Sequence, residues 1–331
     1  PIERISRASA EQRMGRCGRI APGLCVRLYS EEDFAGRRRF TEPEIARTNL
    51  ASVILRMALL GLGDIQEFPF DEPPERRLIN DGHRLLQILE AVDEDRRITD
   101  VGRRMAELPV DPRLARILLA AEALGSLAEV LIIASALAIP DPRERPAEKA
   151  RSADIQHAKF RVEGSDFLAF LKIWEAYQVR RRSDGKRAVQ RWCRRRFLSP
   201  SRMQEWEEMH RQLSDLMRRQ KARVNEAPAT PRRIHVALLR GFIDTIGQRV
   251  DKHGFQGPRG LSFRIFPGSS LHGAAPRWIM AAAIVETSRP YAMTVARVRR
   301  GWLEEAGAHL LRRSYFDAHW NEVKGRVDAF E

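Results

Sequence analysis

The chain has 331 residues, with 58 lysines and arginines against 44 acidic residues, so its formal net charge is +14. This surplus favours polyanionic partners, namely nucleic acid, an acidic membrane surface or a ribosome-like particle. The three cysteines lack paired C-x-x-C spacing, which argues against a disulfide framework and a structural zinc site. The sequence shows neither a secretory leader nor an apolar run long enough to span a bilayer. We therefore expect a cytoplasmic protein without a membrane span.

An arginine-rich segment, Gln12 to Arg19, comes first in the chain. Its three arginines are spaced by Gly15 and Gly18 and led by a glutamine. Guanidinium groups pair bidentately with phosphate, glycines let the backbone approach a ligand, and glutamine can orient an attacking water. The segment therefore predicts a phosphate-binding loop and helix start, and the alternative is a solvated basic run. Leu24–Tyr29 is predicted to be a short strand leaving that loop.

Residues 1–39 are expected to be the end of a larger domain, because no core surrounds the arginine loop. A helix is predicted to start at Thr41, with Glu44 completing a capping box, and to end at Gly61. A second helix around Leu85 and a short hairpin over 94–99 complete the outline of a winged helix, which we assign to residues 40–100. Such a module binds nucleic acid or serves as a structural brace, and the lack of a basic recognition helix favours the brace.

Residues 101–227 are predicted to be a helical bundle. Asp111-Pro112 is an N-cap followed by proline, Ser165-Asp166 starts another helix, and the run 127–139 is apolar enough to lie in the middle of the bundle. The segment from Arg180 to Arg196 holds nine basic residues and one acid, with Trp192 and Phe197 interleaved. It is either a solvated helix face or a surface that tracks single-stranded nucleic acid through cations and aromatic rings.

Residues 228–331 are predicted to form a small closed β-barrel of the OB kind. Phe263 and Ile265 alternate with a polar residue, Tyr291, Met293 and Val295 alternate likewise, and glycines and prolines separate the runs. A helix is expected over 302–311. The fold class is therefore multidomain and mainly α, with a C-terminal barrel.

The motifs resemble those of one helicase family. Gln-Arg-x-Gly-Arg-x-Gly-Arg followed by Pro-Gly-x-Cys-x-Arg-Leu-Tyr resembles motif VI of superfamily-two helicases in its DEAH-box form. Phe-Pro-Gly-Ser at 266–269 points to the bacterial HrpA type. The resemblance implies that residues 1–39 are a remnant of an α/β RecA-like domain and that a ratchet (HA2) bundle and an OB-fold follow the winged helix. Further matching segments lie at 45–51, 68–74, 108–115, 139–146, 265–271 and 285–288.

The resemblance also implies roles for single residues. Gln12 would orient the hydrolytic water, while Arg16 and Arg19 would be arginine fingers on the γ-phosphate of ATP. Support of the ATP site would fall to Arg13, Gly15 and Gly18. RNA contacts would be made by Asp166, Arg196, Arg202 and Arg259.

The sequence contains no G-x-x-x-x-G-K-[ST], Asp-Glu-Ala-His or Ser-Ala-Thr. We therefore expect the nucleotide cradle and the Mg²⁺ ligands to lie upstream, in RecA-like domains of the same protein. This segment alone should hydrolyse no ATP, and steady turnover by it would contradict that expectation.

The leading hypothesis is part of an ATP-dependent RNA helicase that translocates 3′-to-5′ on single-stranded RNA and unwinds RNA or remodels ribonucleoprotein such as the ribosome. Two alternatives stay open: a stand-alone RNA-binding module without ATPase activity, and an interaction scaffold without RNA contact.

Overall fold

The computed structural model describes residues 4–40, 50–252, 254–274, 276–286 and 289–311, and the backbone of two further strands at 316–321 and 326–330. The helices are α1 Arg7–Arg16, α2 Glu31–Ala35, α3 Ala51–Leu60, α4 Arg76–Ile88, α5 Asp100–Ala106, α6 Pro112–Ala123, α7 Leu127–Leu137, α8 Ala150–Ala158, α9 Asp166–Ser183, α10 Lys186–Arg195, α11 Pro200–Arg219, α12 Pro231–Phe242 and α13 Arg300–Ala306. The strands are β1 Ile246–Arg249, β2 Gly254–Gln256, β3 Ser262–Ile265, β4 Trp278–Val285, β5 Tyr291–Val298, β6 Phe316–Asn321 and β7 Arg326–Phe330. Among the described residues, no helix has both the length and the apolar character needed to cross a bilayer.

Residues 4–40 form α1 and α2 and contain no strand. Ser6 caps α1 by accepting a hydrogen bond from the Ser9 amide at 3.1 Å. The strand predicted over 24–29 is wrong: Leu24 and Leu28 are 87% and 95% exposed. A strand needs a neighbour to take its backbone hydrogen bonds, and among the described residues none lies beside this segment. The α/β RecA-like remnant therefore stays a prediction.

The winged-helix outline is confirmed from α3 to α5. The start predicted at Thr41 lies outside the described residues, but α3 ends at Gly61 as predicted, with a left-handed φ of 66°. After α4, Val92 and Ile98 form an antiparallel bridge that closes the wing. Thr99 then caps α5, because its hydroxyl accepts a hydrogen bond from the Gly102 amide at 3.0 Å.

The helices α6 to α11 build the ratchet bundle, and α12 packs against α6 and α7. Asp111 caps α6 through the Arg113 amide, as predicted, and α7 packs against α6, α9, α11 and α12, which confirms its central position. At the α6–α12 contact the backbones approach so closely that a Cβ on Gly241 would lie 2.4 Å from the carbonyl oxygen of Arg113. Trp206 of α11 is fully buried, and its indole donates a hydrogen bond to the carbonyl of Ile132 in α7.

The predicted closed barrel is confirmed. Its strand order is β1-β2-β3-β5-β4, with β3 and β5 parallel and the other pairs antiparallel. Phe263 and Ile265 point into the barrel as predicted. The alternation predicted for β5 is wrong, since Val295 is fully buried while Tyr291 and Met293 are only half-buried. A positive φ of 51° at Thr294 shifts the side-chain alternation between them. The separate pair β6–β7 was not predicted.

Glu90 joins the winged helix to the rest of the chain. It follows α4 in a left-handed conformation and forms salt bridges with Arg116 of α6 and, at 3.2 Å, Arg240 of α12. Burial alone would raise the pKa of Glu90, but the hydrogen bond and charge of Arg116 outweigh burial and lower it. These contacts support the interpretation of the winged helix as a brace.

Candidate nucleic-acid interface

A groove of about 230 Å³ lies where the ratchet bundle meets the barrel. One wall is the segment 141–161, between α7 and α9. The other wall is the barrel loop 266–270 together with Met293 and Thr294 of β5, and the start of α9 contributes Asp166 between the two walls. The groove thus depends on two domains being held in a fixed relation.

Asp166 provides that connection. Its Oδ2 accepts hydrogen bonds from the Ser269 hydroxyl at 2.6 Å and the Val295 amide at 3.0 Å. Its Oδ1 accepts from the Ser270 amide at 2.9 Å and the Ser270 hydroxyl at 2.7 Å. The carboxylate is buried, and four donors from the barrel occupy both of its oxygens. This geometry gives Asp166 a joining role, while its predicted contact with RNA stays untested.

A second buried contact lies directly behind Asp166. Ser165 caps α9, and its hydroxyl lies 2.7 Å from Nε2 of His235 on α12. Nδ1 of His235 lies 2.6 Å from the carbonyl of Pro231, so Nδ1 is the protonated nitrogen. Burial lowers the pKa of His235, and the neutral ring accepts the Ser165 hydroxyl at Nε2. The start of α9 is therefore fixed from both sides.

Salt bridges and hydrogen bonds hold the 141–161 wall. Arg143 pairs with Asp141, and Arg145 pairs with Asp154 at 2.8 Å. Burial would raise the pKa of Asp141, but the hydrogen bonds and charge of Arg143 outweigh burial and lower it. Two predicted RNA contacts support this wall: Arg202 donates to the carbonyl of Asp141 at 2.9 Å, and Arg196 to the side chain of Gln156 at 3.5 Å.

Among the described residues that line the groove, Arg161 and Phe266 remain available to a ligand. Arg161 is exposed and forms no salt bridge with any described residue. Phe266 is 40% exposed and meets Tyr291 edge to face, with ring centroids 6.3 Å apart. A Cβ on Gly268 would lie 2.8 Å from the Phe266 ring, so glycine makes room for this aromatic position. Exposed aromatic faces of this kind can stack unpaired bases.

Arg161 and Phe266 were missed as site residues in the sequence. A signal existed for Phe266, because it follows the buried Ile265 in β3 and strand alternation turns it outward. No local signal distinguishes Arg161 from the other arginines. The groove lining includes three arginines and three aspartates, so its formal charge is balanced, and base contacts should dominate over phosphate contacts there.

The structure places Arg259 away from the groove. It lies in the turn between β2 and β3 and forms a salt bridge at 3.1 Å with Asp81 of α4. Both side chains are about half exposed. Arg259 therefore links the barrel to the winged helix, and its predicted contact with RNA stays a prediction.

The predicted ATP-site residues lie together on α1 and the turn that follows it. Gln12 and Arg16 are four residues apart on one helix and share a face. Arg13, Arg16 and Arg19 are exposed, and none of them forms a salt bridge with a described residue. A Cβ on Gly15 or Gly18 would meet nothing within 4 Å, so nothing described here requires glycine at either position.

Comparisons with known proteins match three consecutive parts of the chain. Residues 83–110 match the helicase associated domain (HA2), winged-helix; residues 111–219 match the helicase associated domain (HA2), ratchet-like; and residues 234–310 match an oligonucleotide/oligosaccharide-binding (OB)-fold. The first part contains the second half of α4, the wing and α5, the second contains α6 to α11, and the third contains most of α12, the barrel and α13.

Whole-chain relatives carry helicase names. The chain is 47% identical to the ATP-dependent RNA helicase HrpA of Escherichia coli (strain K12) and 45% identical to the HrpA homolog of Haemophilus influenzae, in each case over 100% of the chain and 26% of the relative. It is 32% identical, over 91% of the chain and 26% of the relative, to the pre-mRNA-splicing factor ATP-dependent RNA helicase prp22 of Schizosaccharomyces pombe. The chain thus spans about a quarter of the length of these relatives.

Proposed function

Because the chain belongs to the HrpA-type DEAH-box family, in the region that carries the winged-helix, ratchet and OB-fold domains, we propose that it is the RNA-guiding part of an ATP-dependent RNA helicase. The observation that carries this proposal is the groove between ratchet and barrel, where the exposed ring of Phe266 and the guanidinium of Arg161, which has no salt-bridge partner among the described residues, both line the opening. In this proposal the groove holds the bases of a single RNA strand.

The nucleotide part of the proposal depends on α1. Arg16 and Arg19 fit a triphosphate, since both are exposed and unpaired among the described residues and a guanidinium fork matches phosphate oxygens. Gln12 lies one helical turn before Arg16, where it can orient water. Within the described residues no group of three or more His, Cys, Asp or Glu side chains could hold a metal ion, and we assign the Mg²⁺ ligands to the remainder of the full-length protein.

The full-length protein would couple ATP hydrolysis to 3′-to-5′ movement along RNA in the cytoplasm, and would unwind RNA or remodel ribonucleoprotein. The hydrogen bonds that Asp166 accepts from the barrel support this proposal, because they hold ratchet and barrel together. A groove built by both domains can hold an RNA strand only while the two domains stay together. The partners would be single-stranded or structured RNA, ribonucleoprotein or the ribosome, and the RecA-like domains of the same protein.

Phe266→Ala tests the groove. Stacking on one aromatic ring contributes about 1–3 kcal/mol per base, so the affinity of the chain for a short unstructured RNA should fall about tenfold, as measured by fluorescence anisotropy. Phe68→Ala is the matched control, since Phe68 is 37% exposed and packs against Phe70 of the winged-helix region. Equal affinities for both variants would reject the groove as the site of base contact.

A further inference from the structure

One surface of the ratchet bundle carries positive charge that the groove does not use. At 3.6 residues per turn, Arg187, Arg191, Arg194 and Arg195 lie within about 100° of arc on α10. They lie opposite the face that buries Val189, Trp192 and Cys193. We call these four exposed arginines the α10 stripe.

The α10 stripe has no acidic partners among the described residues, unlike several arginines on the neighbouring helices. On α9, Arg181 pairs with Glu207 at 3.2 Å. On α11, Arg211 pairs with Glu208 and Arg218 with Asp215. No arginine of the stripe forms a salt bridge with any residue that the structure describes, so its four charges are not neutralised within the described part of the chain.

Trp192, the aromatic residue of α10, does not contribute to the surface of the stripe. Trp192 is 5% exposed, lies on the buried face, and has the Arg196 guanidinium 5.0 Å from its ring. Tracking of single strands requires aromatic faces on which unpaired bases can stack, and on α10 this face is covered. The surface thus offers charge without a stacking platform.

We infer that the α10 stripe binds the phosphate backbone of double-helical RNA. Arg187 and Arg194 are seven residues apart, which is about 10 Å along the helix axis, and a nucleic-acid duplex presents roughly one phosphate charge per 1.7 Å of its length. Duplex RNA is recognised mostly through its phosphates and shape, without base stacking. The inference rests on the proposed function, in which the groove holds one RNA strand, and it adds a second surface for a paired region of the same RNA.

The test compares two triple variants of the 331-residue chain. Arg187→Gln/Arg191→Gln/Arg194→Gln removes three unpaired charges, and Arg211→Gln/Arg218→Gln/Arg232→Gln removes three that have acidic partners. The probes are a hairpin RNA with a long stem, a DNA duplex of matching length and an unstructured RNA. Affinity is measured for each across a series of salt concentrations.

The stripe variant should bind the hairpin at least tenfold more weakly, and its logarithmic salt dependence should be shallower by about one unit per lost phosphate contact. Its affinity for the unstructured RNA should be unchanged, and the control variant should keep the parent salt dependence. Because the stripe binds phosphates, the stripe variant should also bind the DNA duplex more weakly.

Three results would overturn the inference. Equal weakening by both triple variants would mean that only net charge matters. Equal weakening for hairpin and unstructured RNA would mean that the stripe tracks single strands. Unchanged hairpin binding would mean that the stripe does not bind duplex RNA, and loss of binding to polyglutamate, used as a fourth probe, would then assign the stripe to an acidic protein. Failure of the proposed function is distinguishable, because it would be seen as an unchanged affinity of the Phe266→Ala variant for the unstructured RNA. The stripe variant, in contrast, tests the affinity for the hairpin.

Discussion

Arg16→Ala, in a protein that also carries the two RecA-like domains, should lower RNA-stimulated ATP hydrolysis by about 10³-fold or more. Arg16 lies on the exposed face of α1 and forms no salt bridge with any described residue, so its guanidinium is free to neutralise charge on the γ-phosphate in the transition state. RNA affinity should be nearly unchanged, because the groove is built by other residues. Phosphate release and RNA binding, measured on the same preparation, test both statements.

Arg219→Ala is the charge-matched control, since Arg219 is the exposed last residue of α11. It should leave ATP hydrolysis at the parent rate. Parent-like ATPase activity in the Arg16 variant would support the alternative of an RNA-binding module without ATPase activity. The segment alone should show no turnover with either residue at position 16, because it contains no Walker A sequence.

Asp166→Ala should destabilise the contact between ratchet and barrel by about 4 kcal/mol or more, because it removes the acceptor of four hydrogen bonds. The substitution leaves the hydroxyls of Ser269 and Ser270 and the amides of Ser270 and Val295 without their acceptor, and each buried unsatisfied donor costs about 1–3 kcal/mol. Urea unfolding followed by tryptophan fluorescence measures the loss. Hydrogen exchange at the amides of Ser270 and Val295 should show where it occurs.

Asp166→Asn keeps the size and one acceptor oxygen, so its loss should be intermediate. Asp215→Ala is the surface control: its salt bridges to Arg211 and Arg218 are exposed, and such pairs contribute about 0–1 kcal/mol. If Asp166→Ala were no more destabilising than Asp215→Ala but lost RNA affinity, Asp166 would contact RNA as the resemblance implies, and the joining role would be wrong.

Several features of the fold could be predicted from the sequence because their causes are local. Ser165 caps α9, Asp111 and Pro112 start α6, and Gly61 ends α3, and each of these depends on hydrogen bonds or backbone freedom within a few residues. The period-two pattern of Phe263 and Ile265 likewise predicted which side of β3 is buried. The segments that resemble helicase motifs could also be recognised, because each is short and contiguous in the sequence.

Other features could not be predicted because partners far apart in sequence determine them. The strand expected over 24–29 does not form, since its own residues supply the propensity but not a neighbouring strand. The alternation of β5 fails at Thr294, where the backbone turns to a positive φ beside the Val295 amide that donates to Asp166. Period-two reasoning assumes an undistorted strand and has no means of locating such a turn.

By itself, the sequence determined the order of winged helix, ratchet and barrel, several helix ends and the family, because each depends on adjacent residues or on a short motif. The tertiary structure alone decided which charges remain available. It paired the Asp166 carboxylate with serines more than 100 positions away and placed Trp192 inside the bundle. It also left the α10 stripe and Arg161 without a salt bridge to any residue that the structure describes. A charge or an aromatic ring is available to a ligand only where no internal partner occupies it, and that depends on the packing of the whole chain.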